Sequence, residues 1–246
     1  MATERINKAR TFLKKGYDAF FLSTGKEIQF FIPAVPPTAL ENAYFIISRR
    51  LALLFLKKDF FKIPPLAGVE VVDLSLLGKR LAQLKSEDGI QKLAIVSRDA
   101  RLADYLKLRP LFGATNIEHE EGLLQEMQSK KEPGEIRAIG KACQITAKVL
   151  TRVPRLIQEG RRENELAWML EKEIRENGGS GLAFSSVVAF GKHTVFPHHQ
   201  PTGKRLARGE VIIIDIGAAC AGYCSDMTRT YFFGKMTSEL DRKSVV

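Results

Sequence analysis

The sequence has only three cysteines in 246 residues, and this odd and sparse set gives no framework of disulfide bonds. It also has no apolar run that approaches the roughly 20 residues of a membrane-spanning helix. The most apolar stretch, residues 51–56, is flanked by basic pairs on both sides. Residues 1–15 carry charges throughout and lack the continuous apolar segment of a secretory signal. We therefore expect reduced thiols, no membrane span and a cytoplasmic location.

The net charge of +10 comes from 38 basic and 28 acidic residues. Such a charge is compatible with a nucleic-acid or anionic-surface partner, because clustered basic residues attract phosphate. The basic pairs are instead dispersed over different predicted elements, and no aromatic and basic recognition motif accompanies them. The pattern favours a solvated basic surface and predicts neither a nucleic-acid partner nor a membrane partner.

A chain of this length can bury two hydrophobic cores, and 45% hydrophobic with 27% charged residues is typical of globular domains. In the first half, apolar strand-like runs alternate with amphipathic helical segments, which predicts one α/β domain. The predicted helices are residues 5–15, 76–85 and 100–108, and the predicted strands are residues 19–22, 28–32, 44–48, 51–56, 69–74 and 93–96.

The pattern changes after Gly122, where the polar segment 129–134 precedes a long amphipathic stretch over residues 135–150. Pro133 suits an early helical position, because its missing N–H is not needed there. We place a domain boundary here and assign residues 1–126 and 127–246 to two domains. In the second domain the patterns predict a helix over residues 163–176 and strands over residues 185–190, 211–216 and 228–233.

Asp215 follows four branched apolar residues, an unusual place for a carboxylate. An ionised aspartate in a buried strand costs several kcal/mol unless it is paired or binds a metal. A two-residue turn at Cys220 and Ala221 would put Asp215 directly opposite Asp226. Two carboxylates that close repel each other unless positive charge lies between them, and a pair of divalent cations would supply that charge.

Spacing alone leaves other interpretations open. One aspartate can cap the turn while the other pairs with Arg229. Cys220 and Cys224 resemble half of a thiolate zinc site, although a C-x₃-C without a second pair is more typical of small hairpin residues.

Longer motifs add a specific resemblance. The segments Asp-Ile-Gly-Ala at 215–218, Gly-Tyr-Cys-Ser-Asp-Met-Thr-Arg-Thr at 222–230 and Phe-Gly at 233–234 resemble the hallmark of the pita-bread metallopeptidases, in the aminopeptidase P and prolidase branch. Residues 160–165, 184–191 and 197–202 resemble further parts of the same family in the same order. The first domain resembles the family's creatinase-like N-terminal domain in pattern.

The resemblance implies an α/β (α+β) fold, with a creatinase-like N-terminal α/β domain followed by the N-terminal part of a pita-bread catalytic domain. It implies that Asp215 and Asp226 bind metal and that His198 contacts the substrate and stabilises the charge that develops on it. From the spacing alone, Thr228 follows Asp226 by two residues and so shares the face of that aspartate, which makes Thr228 a candidate to hydrogen-bond to it. The implied cofactor is a pair of divalent ions, Mn²⁺ with Co²⁺ or Zn²⁺ as alternatives, and the implied substrates are proline-containing peptides. A completed protein would be a homodimer.

Two departures from the family pattern accompany this resemblance. The family usually has a small amide where His193 stands and a tyrosine where His199 stands, which puts the substrate-side pocket in doubt. The family's remaining ligands, one histidine and two glutamates, cannot be located, since the 20 residues after Asp226 contain no histidine and only Glu239 and Asp241 as acids. Residues 236–246 are predicted to begin the next helix.

Two hypotheses follow. The first is an Xaa-Pro exopeptidase that cleaves the bond before proline with a dinuclear metal site, present here as a C-terminally truncated and inactive chain. The second is a non-catalytic pita-bread module that binds a macromolecular partner.

Overall fold

The chain forms two compact units, Met1–Lys130 and Lys131–Val246. The computed structural model describes residues 2–13, 16–57, 62–96 and 100–235. The predicted helical start at residues 236–246 lies outside the described residues.

The first unit is built on a mixed six-stranded sheet with the strand order β4-β3-β2-β1-β5-β6. The strands β1, β2 and β3 are antiparallel, whereas β4, β5 and β6 pair in parallel with their neighbours. The bounds are β1 Ala19–Leu22, β2 Tyr44–Ser48, β3 Ala52–Leu56, β4 Glu70–Asp73, β5 Leu93–Ile95 and β6 Ile117–His119.

Apolar residues on both faces of this sheet explain its near-continuous hydrophobic strands. Phe20 and Leu22 of β1 pack into one core, while Ala19 and Phe21 pack into a second core on the opposite face. Side chains of a strand alternate between faces, so one four-residue strand contributes to both cores. Five helices accompany the sheet in the described part of this unit: α1 Ala2–Phe12, α2 Gly25–Phe31, α3 Leu77–Ser86, α4 Leu102–Phe112 and α5 Gly122–Ser129.

Three predictions for this unit need correction. Residues 28–32, predicted as a strand, lie largely in helix α2, where Ile28 and Phe31 share a face and are both fully buried. Strand β6 and helix α5 were not predicted. The unit ends after Lys130 rather than after Glu126, because helix α5 packs Leu123, Leu124 and Met127 into the core of the first unit.

The second unit combines two long helices with two small sheets. Helix α6 spans Pro133–Leu156 and helix α7 spans Glu163–Glu176. Glu132 and Glu135 form a capping box at the start of α6, with Pro133 in its first turn. One sheet has the strand order β12-β9-β8 and the other β11-β10-β7. The bounds are β7 Gly181–Leu182, β8 Val187–Phe190, β9 Glu210–Ile216, β10 Ala218–Cys220, β11 Tyr223–Cys224 and β12 Met227–Phe233.

Strand β9 connects the core of this unit to its candidate site. Ile212, Ile214 and Ile216 are fully buried in a core that also contains residues of α6 and α7. Burying each of these side chains contributes roughly 1.5–3 kcal/mol. Val211, Ile213 and Asp215 alternate with them and are only half-buried. The isoleucines therefore fix the orientation of β9 and direct Asp215 to the face away from this core.

Candidate metal centre

The hairpin that carries both aspartates turns at Ala221 and Gly222. These residues have φ angles of 51° and 81°, as in the two-residue type I′ turn that matches the twist of paired strands. In the resulting register Asp215 lies opposite Thr228, and Cys220 lies opposite Tyr223. The predicted register, with Asp215 opposite Asp226, is therefore wrong. The turn lies one residue further along than we expected, and this displaces the pairing by two residues.

The corrected register still keeps the two aspartates on one face. Asp226 precedes Thr228 by two residues, and Thr228 is the cross-strand neighbour of Asp215. The aspartates are thus diagonal neighbours, whose Cβ atoms typically lie up to about 7–8 Å apart, within reach of each other's carboxylates. The structure leaves Asp215 half-buried and Asp226 exposed, which corrects the expectation of two buried acids.

Beside the aspartates, the backbone at Gly217 packs closely against the backbone at Ser225, and this contact sets the positions of the aspartates. Gly217 lies so close to Ser225 that a Cβ on Gly217 would stand 1.9 Å from the carbonyl oxygen of Ser225. The amide of Ala218 donates to the hydroxyl of Ser225 at 3.0 Å and to that of Thr146, on helix α6, also at 3.0 Å. The two hydroxyls are 2.8 Å apart. Sequence reasoning missed this buried network, which ties the hairpin to α6.

The electrostatics of the pair show that the two carboxylates interact. The pKa of Asp226 is raised by desolvation, and further by the negative charge of Asp215 and a hydrogen bond with it. The hydroxyl of Thr228 donates to Oδ1 of Asp215 at 2.7 Å and fixes the orientation of that carboxylate. We expected this role for Thr228 on the face of Asp226, and the structure places its hydrogen bond on Asp215.

The donor set is of the kind that binds a hard or borderline divalent cation. Among the described residues Arg229 pairs with neither aspartate, and its guanidinium donates instead to the carbonyl of Thr228 at 2.7 Å. Positive charge between the two carboxylates would relieve the repulsion that raises the pKa of Asp226. The two carboxylates are therefore of the kind that such an ion binds, and the assignment of Asp215 and Asp226 as metal ligands stays a prediction.

His198 lies on a different segment, in the loop that follows the short helical turn Gly191–Val195. Its side chain is exposed. No hydrogen bond or ion pair described in this part of the chain joins His198 to either aspartate. The structure thus brings Asp215, Asp226 and Thr228 together and leaves the role of His198 as a prediction.

Comparison with known families agrees with this arrangement. Residues 137–245 match the model of metallopeptidase family M24, which covers the hairpin, the loop of His198 and helix α7. The match lies within the second unit, which we call the M24 unit. This finding confirms the resemblance seen in the sequence motifs.

Relatives of the M24 unit extend the similarity to the first unit. The chain is 29% identical over 224 residues to a putative Xaa-Pro aminopeptidase of Mycoplasma pneumoniae, covering 89% of this chain and 60% of that protein. It is 27% identical over 235 residues to an Xaa-Pro dipeptidase of Pyrococcus horikoshii, covering 94% of this chain and 64% of that protein. The chain therefore spans under two thirds of the length of these relatives.

A solved structure shows the same fold. An Xaa-Pro dipeptidase from Bacillus anthracis superposes with a TM-score of 0.88 at 24% identity, over 98% of this chain and 68% of that one. The fold is thus the mixed α/β fold of the prolidase and pita-bread structures, as the sequence predicted. Within the described residues no helix is long and apolar enough to cross a membrane.

The M24 unit also contains a buried carboxylate whose role the sequence did not reveal. Glu163 begins helix α7, and its side chain is fully buried. It accepts five hydrogen bonds, from Phe190 N, His193 Nδ1, His199 Nε2, Thr202 N and Thr202 Oγ1. Desolvation raises its pKa, but the donors, led by Thr202 and His199, outweigh desolvation and lower the pKa to about 2.

The cluster formed by Glu163, His193 and His199 holds the loop of His198 against the start of helix α7. A signal for it was present in the sequence, because both histidines stand where the motif departs from the family pattern. Their sequence positions alone gave no indication that both rings face one carboxylate.

Proposed function

We propose that residues 1–246 form part of an Xaa-Pro metallo-exopeptidase, an aminopeptidase P-like or prolidase-like hydrolase that cleaves the peptide bond before proline. The observation that carries this proposal is that the carboxylates of Asp215 and Asp226 interact on one face of a hairpin within an M24 unit. The descriptions of the relatives as an Xaa-Pro aminopeptidase and an Xaa-Pro dipeptidase support the substrate class. Proline-containing peptides are the proposed substrates.

Each residue has a distinct proposed role. Asp215 and Asp226 would hold a pair of divalent ions, Mn²⁺ in the first instance, with Co²⁺ or Zn²⁺ as alternatives. When bound, such ions act as Lewis acids on a carbonyl and lower the pKa of water. Thr228 orients Asp215 through the 2.7 Å hydrogen bond from its hydroxyl. His198, on an exposed loop, would contact the peptide and donate to the oxygen on which negative charge develops.

Residues 1–246 alone are proposed to be inactive. Asp215 and Asp226 give two protein ligands on this face, fewer than a dinuclear site requires. The corresponding expectation is weak metal binding that depends on both aspartates, without turnover of Xaa-Pro peptides.

Calorimetric titration with Mn²⁺ tests the metal ligands. The Asp215→Asn and Asp226→Asn variants are each expected to weaken Mn²⁺ binding by about tenfold or more, because each loses a charged ligand. Asp88→Asn, an exposed aspartate of the first unit, is the matched control and should leave the affinity unchanged. Equal Mn²⁺ affinity in the wild-type chain and both hairpin variants would contradict the proposed ligands.

A peptidase assay with added Mn²⁺ tests the proposed inactivity of residues 1–246. The expected result for residues 1–246 is no hydrolysis of Xaa-Pro dipeptides or longer Xaa-Pro peptides. Metal-dependent turnover that is lost in Asp215→Asn would overturn the proposed inactivity while supporting the peptidase. The alternative function, a non-catalytic binding module, would be favoured if the wild-type chain and the Asp215→Asn, Asp226→Asn double variant bound the same number of Mn²⁺ ions with the same affinity.

We also propose that the first unit is a creatinase-like domain, that the completed protein is a homodimer and that it is located in the cytoplasm.

A further inference from the structure

A cluster outside the proposed catalytic hairpin brings together three potential metal ligands. Glu163, His193 and His199 each offer one ligand atom, and these atoms all lie within 4.8 Å of one another. Nδ1 of His193 is 2.9 Å from Oε1 of Glu163, and Nε2 of His199 is 2.9 Å from Oε2. The two imidazole rings lie 4.6 Å apart between centroids. We propose that this cluster is a separate binding site for one Zn²⁺-like divalent transition-metal ion.

The donor types support such an ion. Two imidazoles and one carboxylate form the ligand set of many zinc sites, and imidazole favours transition metals over Mg²⁺ or Ca²⁺. Because each carboxylate oxygen faces a different ring, Glu163 can bind through both oxygens while each histidine adds one nitrogen. That gives four protein ligand atoms from three residues.

The spacing requires little rearrangement. With metal–nitrogen and metal–oxygen bonds of about 2.0–2.2 Å, ligand atoms from different residues around a tetrahedral ion lie about 3.3–3.6 Å apart. The two nitrogen–oxygen distances in the cluster are 2.9 Å, so each contact must open by roughly half an ångström, and all the ligand atoms already lie within 4.8 Å of one another. Side chains whose bodies are already packed can make this movement by small rotations of the rings.

The charge balance also favours a cation at this position. Glu163 is fully buried and ionised, and the ion pairs of the described residues give it no lysine or arginine partner. Without a metal, both facing ring nitrogens must carry protons and donate to the carboxylate. With a metal, each ring carries its proton on the other nitrogen and presents a lone pair to the ion, so the rings bind it without a net loss of protons and the carboxylate supplies the negative charge.

The surrounding contacts describe a closed, structural type of site. Phe190 N and the amide and hydroxyl of Thr202 hold the carboxylate from three directions. His199 is 10% exposed and His193 21% exposed, so the ion would enter from the side of His193. A bound ion would fix the loop that carries His198 to the N-terminal end of helix α7. Its role would be to position that loop and not to contact the peptide.

Titration with Co²⁺ tests the site, because cobalt replaces zinc and has a visible ligand-field absorption. The titration uses the Asp215→Asn, Asp226→Asn double variant, which lacks both proposed catalytic ligands. The expected result is one Co²⁺ per chain, a ligand-field band and displacement of the band by Zn²⁺. Adding His193→Asn or His199→Asn should weaken binding by about tenfold or more.

His198→Asn in the same double variant is the matched control, since His198 lies on the same loop outside the cluster, and it should leave Co²⁺ binding unchanged. Circular dichroism checks that each variant folds, and if His199→Asn does not, the more exposed His193 decides the test. An absence of Co²⁺ uptake by the double variant, or uptake insensitive to the loss of His193, would overturn the proposal. Either result leaves the proposed peptidase function untouched, because the double variant removes that site from the measurement.

Discussion

Replacing Glu163 by glutamine removes a buried negative charge while keeping the size of the side chain. The pKa of Glu163 falls from the ordinary 4.5 to about 2 on folding. Since each factor of ten in a protonation equilibrium is worth about 1.4 kcal/mol, the ionised carboxylate stabilises the fold by about 3 kcal/mol at neutral pH. The glutamine side chain also directs its NH₂ group at N–H and O–H donors, and because two donors cannot hydrogen-bond to each other, this lowers the free energy of unfolding further. We expect Glu163→Gln to destabilise the second unit by at least about 3 kcal/mol at pH 7.

The pH dependence of this difference has a definite sign. A lowered folded-state pKa means that the stabilisation is complete above the unfolded-state value near 4.5 and declines as the pH falls towards about 2. At pH 3 about two fifths of the stabilisation should remain. The difference in unfolding free energy between the wild-type chain and Glu163→Gln should therefore be constant from pH 7 to 5 and shrink below pH 4.5.

Urea unfolding followed by circular dichroism, with EDTA present, gives the free energies. Hydrogen exchange of the peptide covering helix α7 assigns the loss to the second unit. Glu176→Gln is the matched control, since Glu176 lies on the same helix, is 56% exposed and pairs only with Lys172 in the described chain. The control should change stability by less than about 0.5 kcal/mol. The reasoning is refuted if Glu163→Gln lies within about 1 kcal/mol of wild type at pH 7, or if the difference does not depend on pH between 5 and 3.

Two substitutions near the proposed metal centre test its backbone geometry. Gly217→Ala would place a methyl group 1.9 Å from the carbonyl oxygen of Ser225, and urea unfolding should show a loss of about 3 kcal/mol or more. Gly140→Ala is the control, because a Cβ at this position on helix α6 would lie in open space, and the free energy of unfolding should rise by about 1 kcal/mol. Equal effects of the two substitutions on stability would contradict the close contact between Gly217 and Ser225. Ala221→Asn should raise stability by about 0.5–1 kcal/mol, because asparagine adopts the positive φ of 51° more readily before Gly222. A decrease in stability would exclude the type I′ turn.

The sequence predicted most elements of the fold, because their signals are local. Short runs of apolar, branched and aromatic residues predicted the strands β1, β2 and β9, and the helical spacing of the M24 unit predicted helix α7 with the bounds that the structure has, Glu163–Glu176. The prediction failed for residues 28–32, where aromatic and branched residues favoured a strand. There the i, i+3 spacing of two buried side chains favours the helix observed.

For the candidate site as well, some features could be predicted from the sequence and others could not. Short motifs in the sequence indicated the family and marked Asp215 and Asp226 as candidate metal ligands. The pairing of the two strands could not be derived, because it depends on a turn shifted by one residue and on the close approach of Gly217 to Ser225. Local spacing does not encode such a backbone contact.

The sequence by itself determined the fold class, the family and the segment that carries the paired acids, since these follow from periodicity and motif. Only the tertiary structure decided that Thr228 orients Asp215 and that Glu163 gathers His193 and His199. Glu163 is 36 residues from His199 in the chain, and their contact of 2.9 Å exists because helix α7 and the loop pack together. The balance between desolvation and hydrogen bonding that keeps Glu163 ionised arises from that packing.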